Sequence, residues 1–216
     1  MTRLISVSLV FVVVGLFTLG GTSAAHAQRV VATVDSAQSV IDYTGSAPLH
    51  DWTGTSRDVS GRFVLDPDQP DSSRAVIRVL VASFDSGNDR RDRKMREVTE
   101  AKQYPLVEFR TTALQPVQWG RSTDGHAGKW KVRGELTFHG RTHLVETTAD
   151  VRVTDGQVRV RAKFAISLTR FKVERPSLLW ASIDDKIRLD ARIVGTVEEP
   201  SSADRRSRNA QPSKSP

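Results

Sequence analysis

The chain has 216 residues, with 32 Lys and Arg, 25 Asp and Glu and no Cys, and its formal net charge is +7. The absence of Cys excludes a disulfide-stabilised fold and a lipid-modified Cys after a leader peptide. Arg3 supplies +1 of the charge and residues 200–216 supply +3, so +3 remains for the rest of the chain. The central part is therefore only mildly basic, and we expect no nucleic-acid-binding function.

Residues 1–27 have the pattern of a cleaved secretory signal peptide. A single early cation, Arg3, precedes an apolar run from about Leu4 to Leu19, and small residues follow up to Ala27. An uncleaved membrane anchor is the alternative, but the run is at the short end of the roughly 20 residues that a bilayer span needs. We expect cleavage after Ala27 and a periplasmic or secreted protein that does not span the membrane once processed.

Alternation of apolar and polar residues predicts β-strands through most of residues 28–199, which we expect to form one domain. In KWKVRGELTF, for example, Trp130, Val132, Gly134, Leu136 and Phe138 share one face, and polar residues occupy the other. The other predicted strands, in chain order, are at about 39–44, 58–65, 74–84, 106–114, 144–153, 157–166 and 186–195.

A basic segment, RRDRKMR, interrupts the strands at residues 90–96. Gly87-Asn88-Asp89 offers a turn and an N-cap, and residues 90–101 contain neither Pro nor Gly, which predicts a helix. Met95 and Val98 give this helix a narrow apolar edge. A four-residue spacing predicts the ion pairs Asp89–Arg93, Asp92–Arg96, Arg93–Glu97 and Arg96–Glu100. The segment is therefore interpreted as a surface helix lying on apolar structure, in preference to a binding site for a polyanion.

The C-terminal residues 200–216 contain only Ala as an apolar residue and are rich in Ser, Pro and Arg. Such a segment cannot bury enough surface to offset the entropy lost on ordering, so we expect a disordered basic tail. Its expected partners are limited to weak contact with an anionic envelope surface.

About eight one-sided strands and one helix predict an all-β, antiparallel protein. A sheet of that length closes into a barrel or folds into a sandwich, and the alternation fits both. The inward-facing positions mix Gly, Ala, Thr and Val with a few large residues, which favours a tapered or partly hollow barrel. An eight-stranded barrel either fills itself with side chains or holds one small ligand.

Two motifs resemble the signature of the bacterial YceI-like family. The first joins a Gly-Asn turn, an Arg-Asp pair at a helix start and a Tyr-Pro step, within SFDSGNDRRDRKMR…KQYPLVEFR. The second is a Gly-x-Leu-Thr-x-His-Gly-x-Thr hairpin. The matching positions are Gly87, Asn88, Arg91, Asp92, Tyr104, Pro105, Phe109, Gly134, Leu136, Thr137, His139, Gly140 and Thr142, with Val40, Gly61 and Phe63 in similar opening strands. The resemblance covers nearly all of 38–197, but near Arg170 the family's usual Arg-x-x-Phe-Gly element lacks its Gly.

The resemblance implies a lipocalin-like, eight-stranded antiparallel barrel with one short helix after the third strand. It also implies that the barrel interior holds an isoprenoid chain, such as a polyprenyl phosphate or a quinone, without catalytic residues or a cofactor. Burial contributes about 0.8 kcal/mol per CH₂-sized group, whereas an exposed Arg–phosphate contact contributes about 1 kcal/mol or less. Several isoprene units inside a barrel should therefore outweigh any one cation at its mouth.

The apolar lining is accordingly the expected ligand site. Its candidate residues are Phe63, Phe84, Phe109, Trp130, Leu136, Phe164 and Phe171, with Leu178, Leu179 and Trp180 near an entrance. Arg91 and Arg170 are candidate headgroup contacts, although Arg91 also fits a structural role in tying the helix to a neighbouring loop.

Two functions from other classes compete with lipid binding. A metal-dependent enzyme could use His139 and His143, but a hairpin turn at Gly140-Arg141 would point these two side chains to opposite faces. An envelope interaction module with a filled barrel could instead present the polar segment 46–57, in which Trp52 either contacts a partner or plugs one end of the barrel.

Overall fold

A closed antiparallel β-barrel forms the body of the protein. The computed structural model describes residues 29–198 apart from 49, 67, 176, 179 and 180, and at 177, 178, 181 and 182 it describes the backbone only. The expected leader and tail lie outside these residues.

The described residues contain twelve strands, one α-helix and two 3₁₀ helices. The strands are β1 Val30–Val34, β2 Val40–Ala47, β3 His50–Ser56, β4 Val59–Leu65, β5 Arg74–Leu80, β6 Leu106–Ser122, β7 Gly125–Phe138, β8 Arg141–Thr154, β9 Gln157–Ser167, β10 Ser177–Leu178, β11 Ala181–Ser182 and β12 Lys186–Val197. The helix α1 spans Asp89–Val98, and the 3₁₀ helices span Pro70–Ser72 and Val81–Ser83. Among these described helices, none is long and apolar enough to cross a membrane.

Pairing between β1 and β12 closes the barrel. The sheet runs in the order β1-β4-β5-β6-β7-β8-β9-β12-β2-β3, and β1 also pairs with β12. β1 and β2 both pair with β12 and together form one interrupted strand of the wall. In the same way, β3 pairs with β2 and β4 pairs with β1, and together they form the next strand of the wall. Counted this way, the wall has eight strands and α1 follows the third. The prediction of an antiparallel barrel is therefore confirmed, and the sandwich alternative is wrong.

Alternation of burial places the apolar residues of the predicted strands inside the barrel. In β7, Trp130 and Leu136 are 1% and 3% exposed, whereas Lys131, Arg133 and Glu135 are exposed. β6 and β7 continue beyond the predicted strands to a turn at Ser122–Gly125. Alternation therefore predicted which side chains face inward, but not how long these two strands are.

The prediction of a polar loop at 46–57 is wrong, because most of this segment is strand β3. Two of its inward positions, Gly54 and Ser56, carry little apolar surface of their own, and Gly54 pairs with Tyr43 of β2. A Cβ at Gly54 would lie 2.3 Å from the Tyr43 ring, so this ring covers the glycine. An aromatic side chain from the partner strand thus supplies the apolar surface that β3 lacks at Gly54.

The helix α1 forms within the predicted segment but ends at Val98, three residues before the predicted end. Asp92 is buried and does not lie on a charged surface. Asn88 caps the helix by accepting a hydrogen bond from the Arg91 N–H. None of the four predicted ion pairs is present among the described residues, and the pair within α1 is Lys94–Glu97, at 3.0 Å. Met95 and Val98 pack against a buried cluster, as predicted.

The two ends of the barrel differ. The helix end, defined by α1, the turn at 139–140 and the loop at 168–175, is filled by an apolar cluster that includes Val81, Phe138 and Phe171. The opposite end, defined by the turns at 122–125 and 154–157, is filled by buried residues that include Leu65, Val153 and Val158. The interior lies between these two plugs.

An apolar cavity inside the barrel

A cavity of about 240 Å³ lies inside the barrel. Its lining consists of Ile41, Tyr43, Phe63, Leu65, Ala75, Ile77, Val79, Val81, Phe84, Met95, Thr99, Val107, Phe109, Thr111, Leu114, Trp130, Val132, Leu136, Phe138, Val145, Thr147, Ala149, Val151, Val160, Ala162, Phe164, Ile166, Leu168, Ile187, Leu189, Ala191 and Ile193. Among the described residues, no charged side chain lines it.

Small side chains on three adjacent strands help to make this space. Ala149 of β8 pairs with Ala162 of β9, and Ala162 pairs with Ala191 of β12, so three alanines face inward in one row. Larger rings, including Phe63, line other parts of the wall. Because alanine side chains end at Cβ, this row leaves room that leucine or phenylalanine would occupy.

The lining is also almost free of polar groups. Within the described part of the chain, the polar side-chain groups of the lining residues are the hydroxyls of Tyr43, Thr99, Thr111 and Thr147 and the indole N–H of Trp130. Burial raises the pKa of Tyr43 above its ordinary value of 10.0, and the hydroxyl is neutral at physiological pH with or without this shift. The Thr111 hydroxyl accepts a hydrogen bond from the Ala75 N–H at 2.8 Å. Such a surface suits an apolar ligand, because a polar ligand would lose its water contacts without replacing them.

Six of the predicted ligand-site residues line the cavity. They are Phe63, Phe84, Phe109, Trp130, Leu136 and Phe164. Phe171 does not, because it lies in the plug at the helix end, where its ring centroid is 5.6 Å from that of Phe138 and 4.9 Å from that of His143. Leu179, Trp180 and the side chain of Leu178 fall outside the described residues. That these residues bind a ligand stays a prediction.

Several lining residues were not predicted as site residues. Tyr43 was not predicted because β2 is irregular in sequence. Met95 was not predicted because the helix was interpreted as a surface element. Phe138 was predicted to face inward and could have been included from the alternation alone.

Arg91 links α1 to the preceding loop. Its Nε donates to Ser86 Oγ and its Nη2 to the Ser86 carbonyl, both at 2.8 Å. The Ser86 hydroxyl in turn donates to Asp92 at 2.5 Å. The Arg91 guanidinium also lies 5.7 Å from the ring centroid of Trp52. This geometry fits the structural role foreseen for Arg91, and a headgroup role for it stays a prediction.

Arg170, the other candidate headgroup contact, is exposed at the helix end. Its carbonyl accepts a hydrogen bond from His143 Nε2 at 2.8 Å. The residue lines a depression on the outside of the wall that also includes Lys186. A headgroup role for Arg170 stays a prediction as well.

The hairpin turn lies one residue earlier than predicted. Phe138 pairs with Arg141, so the turn residues are His139 and Gly140, and both have positive φ, at 50° and 66°. A two-residue hairpin loop with positive φ at both positions is of type I′. The assumed turn at Gly140-Arg141 and the side-chain directions derived from it are therefore wrong.

Both histidines bind the backbone of the loop at 168–175. His139 Nδ1 donates to the Phe171 carbonyl at 2.9 Å, and His143 Nε2 donates to the neighbouring Arg170 carbonyl. A carbonyl can only accept, so these two ring nitrogens carry protons and are not available as metal ligands. Within the described residues, no group of three His, Cys, Asp or Glu side chains is placed to hold a metal ion.

The segment proposed for an interaction module does not form an exposed loop. Trp52 lies on β3, half-buried, and its indole covers Gly45, where a Cβ would lie 2.5 Å from the ring. Trp52 lies under the Arg91 guanidinium, which agrees with the alternative in which Trp52 plugs one end of the barrel.

Asp185 fastens the loop after β9 to the start of β12. Hydrogen bonds from the Ser167 hydroxyl and from the Thr169 hydroxyl and backbone N–H lower the pKa of Asp185 to about 2. The Thr169 N–H lies 2.7 Å from Asp185 Oδ1, and the Asp185 carbonyl accepts from Leu168. The ionised carboxylate therefore stabilises this loop.

We expect Asp185→Asn to destabilise the protein at pH 7 by about 1 kcal/mol or less, since the group is partly exposed and screened by solvent. Because the folded-state pKa lies below the ordinary 3.8, the stabilisation is complete above that value and is lost as the pH falls through about 2. Urea unfolding of wild type and variant between pH 7 and pH 2 should show the difference closing in acid. The neighbouring Asp184→Asn is the control, and a gap that persists at pH 2 would contradict this role.

Comparison with known proteins agrees with the barrel fold. The profile of the YceI-like domain matches residues 33–195. Among curated proteins, a UPF0312 protein of Pseudomonas fluorescens is 27% identical over 144 residues, which cover 61% of this chain and 71% of that protein. A UPF0312 protein of Photorhabdus laumondii is 26% identical over 100 residues, covering 45% of this chain and about half of the relative, 47%.

Two solved structures share the fold. BcnA of Burkholderia cenocepacia has a TM-score of 0.64 at 22% identity, covering 74% of this chain and 98% of that one. A polyisoprenoid binding domain from Saccharophagus degradans, implicated in plant cell wall breakdown, has a TM-score of 0.62 at 15% identity and covers 79% and 100% of the two chains. The match of the domain profile over residues 33–195, together with the barrel, shows that the chain belongs to the family of YceI-like domains.

Proposed function

We propose that this protein holds one long apolar chain, of the isoprenoid type, inside its barrel and has no catalytic activity. The observation that carries the proposal is the apolar cavity inside the barrel, with its row of three inward alanines. A similar fold in a polyisoprenoid binding domain supports the choice of ligand class. Polyprenyl phosphates and quinones are the candidate ligands, and the leader-like residues 1–27 support a periplasmic or secreted location.

Burial of the chain is expected to supply most of the affinity. An isoprene unit buried in this lining contributes up to about 4 kcal/mol, from about 0.8 kcal/mol for each of its five carbons. An exposed cation such as Arg170 contributes about 1 kcal/mol or less to a phosphate. Polyprenyl alcohols, phosphates and quinones of equal length should therefore bind with similar affinity.

Filling the space beside the alanine row tests the proposal. In Ala191→Phe, we expect stability to be kept or raised, because the ring buries apolar surface in existing space, and uptake of a polyprenyl chain to fall by about tenfold or more. Titration with a fluorescent polyprenyl analogue measures uptake, and urea unfolding measures stability.

The matched control is Ala113→Phe, which places the same ring at an exposed alanine of β6. It should bind like wild type. Equal uptake by Ala191→Phe and Ala113→Phe would show that the chain does not occupy the cavity.

A further inference from the structure

The wall of the barrel is incomplete between β8 and β9. These two strands pair only where Ala149–Val153 lies beside Val158–Ala162. By contrast, β8 pairs with β7 along its whole length, and β9 pairs with β12 along its whole length. We call the unpaired part, residues 143–148 and 163–167, the β8–β9 gap. All of these residues are described.

Side chains at the gap are less covered than those in the paired half of the same strand. The inward residues Ala149, Val151 and Val153 of β8 are buried, whereas Val145 and Thr147 are only half-buried. The Thr147 hydroxyl donates to the Lys163 carbonyl at 2.9 Å, so a side chain bridges the strands at one point where a backbone ladder would otherwise run.

A depression of about 270 Å³ lies over the gap on the outside of the barrel. Val145 and Ile166 line both this depression and the internal cavity. Single side chains therefore separate the depression from the cavity, and no continuous hydrogen-bonded backbone lies between the two spaces.

Both ends of the barrel are more tightly closed than this part of the wall. Phe171 and Val81 are each 2% exposed at the helix end, and Leu65 and Val158 are 3% and 0% exposed at the opposite end. Passage through either end would displace these packed side chains. Passage through the gap needs only rotation of half-buried aliphatic side chains, because no ladder hydrogen bonds have to break there.

We propose that the β8–β9 gap is a lateral portal through which an apolar chain enters and leaves the cavity. The chain passes between Val145 and Ile166, and its outer part contacts Leu144, a large apolar side chain that is 54% exposed at the rim. A polar head stays outside, in the depression, whose lining includes the charged side chains Glu146, Arg170, Asp185 and Lys186. This inference rests on the proposed function and adds the route of exchange to it.

A covalent cross-link between the two sides of the β8–β9 gap tests the portal, and we call the cross-linked protein strapped. The chain has no Cys, so Glu146→Cys together with Ala165→Cys introduces the only two thiols. These positions lie on opposite sides of the gap and outside the lining of the internal cavity. The thiols are joined with bismaleimidoethane. The control pair, Arg152→Cys with Arg159→Cys, is joined in the same way where the two strands already pair.

The readout is stopped-flow fluorescence of cis-parinaric acid, an apolar polyene chain. The strapped gap should slow both uptake and release by about tenfold or more, with equilibrium affinity unchanged, because a gate alters rates without altering the bound state. The strapped control should exchange like unmodified protein. Equal rates in the two strapped proteins would overturn the portal and leave the proposed function standing. No uptake of either cis-parinaric acid or the fluorescent polyprenyl analogue by any form would overturn the proposed function and the portal together.

Discussion

The variant Phe164→Asp is expected to lose at least about 100-fold in affinity for an apolar chain at pH 7. Phe164 lines the cavity from β9, and Asp at this position would present a carboxylate to an otherwise uncharged lining. A bound chain would remove water from that carboxylate, and the desolvation of an unpaired ion costs several kcal/mol. A factor of ten in affinity corresponds to about 1.4 kcal/mol, so a loss of about 3 kcal/mol is enough for the expected effect.

The pH dependence separates this electrostatic effect from the loss of the ring. Apolar surroundings raise the pKa of a carboxyl above its ordinary value of about 3.9, so acid should neutralise the introduced Asp and restore part of the affinity. Phe164→Leu should bind with little dependence on pH. Ala113→Asp, which adds a carboxylate on the outer face of β6, should bind like wild type.

Circular dichroism must show that Phe164→Asp is folded before binding is measured. A folded Phe164→Asp that binds a polyprenyl probe as wild type does at pH 7 would place the ligand outside the cavity.

The variant Asp92→Ala should be the most destabilising single change outside the apolar core, at about 2–4 kcal/mol. Asp92 is 5% exposed, and its carboxylate accepts hydrogen bonds from the Ser86 N–H at 3.1 Å and from the Ser86 hydroxyl at 2.5 Å. Removing the carboxylate leaves these donors unpaired. It also removes the negative charge that is linked to Arg91 through the Ser86 hydroxyl. Breaking a buried charged network costs about 3–5 kcal/mol.

Thermal unfolding measures this effect. A loss of about 3 kcal/mol in a domain of this size corresponds to a fall in Tm of about 6–12 °C. The control Asp89→Ala removes an exposed acid from the first turn of the same helix, where the helix-dipole contribution is about 0.3–1 kcal/mol. Similar losses in the two variants would show that Asp92 acts only as a helix-terminal charge.

The sequence pattern predicted the inward faces because a strand exposes alternate side chains to two different environments. The segment from Trp130 to Phe138 has that alternation without interruption, and of its odd-numbered positions Lys131, Arg133 and Glu135 are exposed and Thr137 is half-buried. The same pattern placed six aromatic or aliphatic residues around the cavity. Its row of three alanines is also visible in the sequence once the strands are aligned, although the alignment itself comes from the pairing.

Features that depend on contacts between strands could not be predicted from the pattern. β3 lacks apolar alternation because Tyr43, from another strand, covers Gly54. The buried position of Asp92 depends on Ser86, and four-residue spacing alone suggested a surface ion pair with Arg96. The β8–β9 gap is likewise hidden, since both strands keep their alternation through the unpaired part. Alternation reports which way a side chain faces and carries no information on whether the neighbouring strand is paired.

Native mass spectrometry of the folded protein, purified from cells that make polyprenyl lipids, tests the central claim most directly. We expect a complex carrying one apolar chain, with the chain recovered by organic extraction and reduced in Ala191→Phe but not in Ala113→Phe. A protein that carries no lipid and takes up no added polyprenyl chain would contradict the claim and leave the barrel as a scaffold.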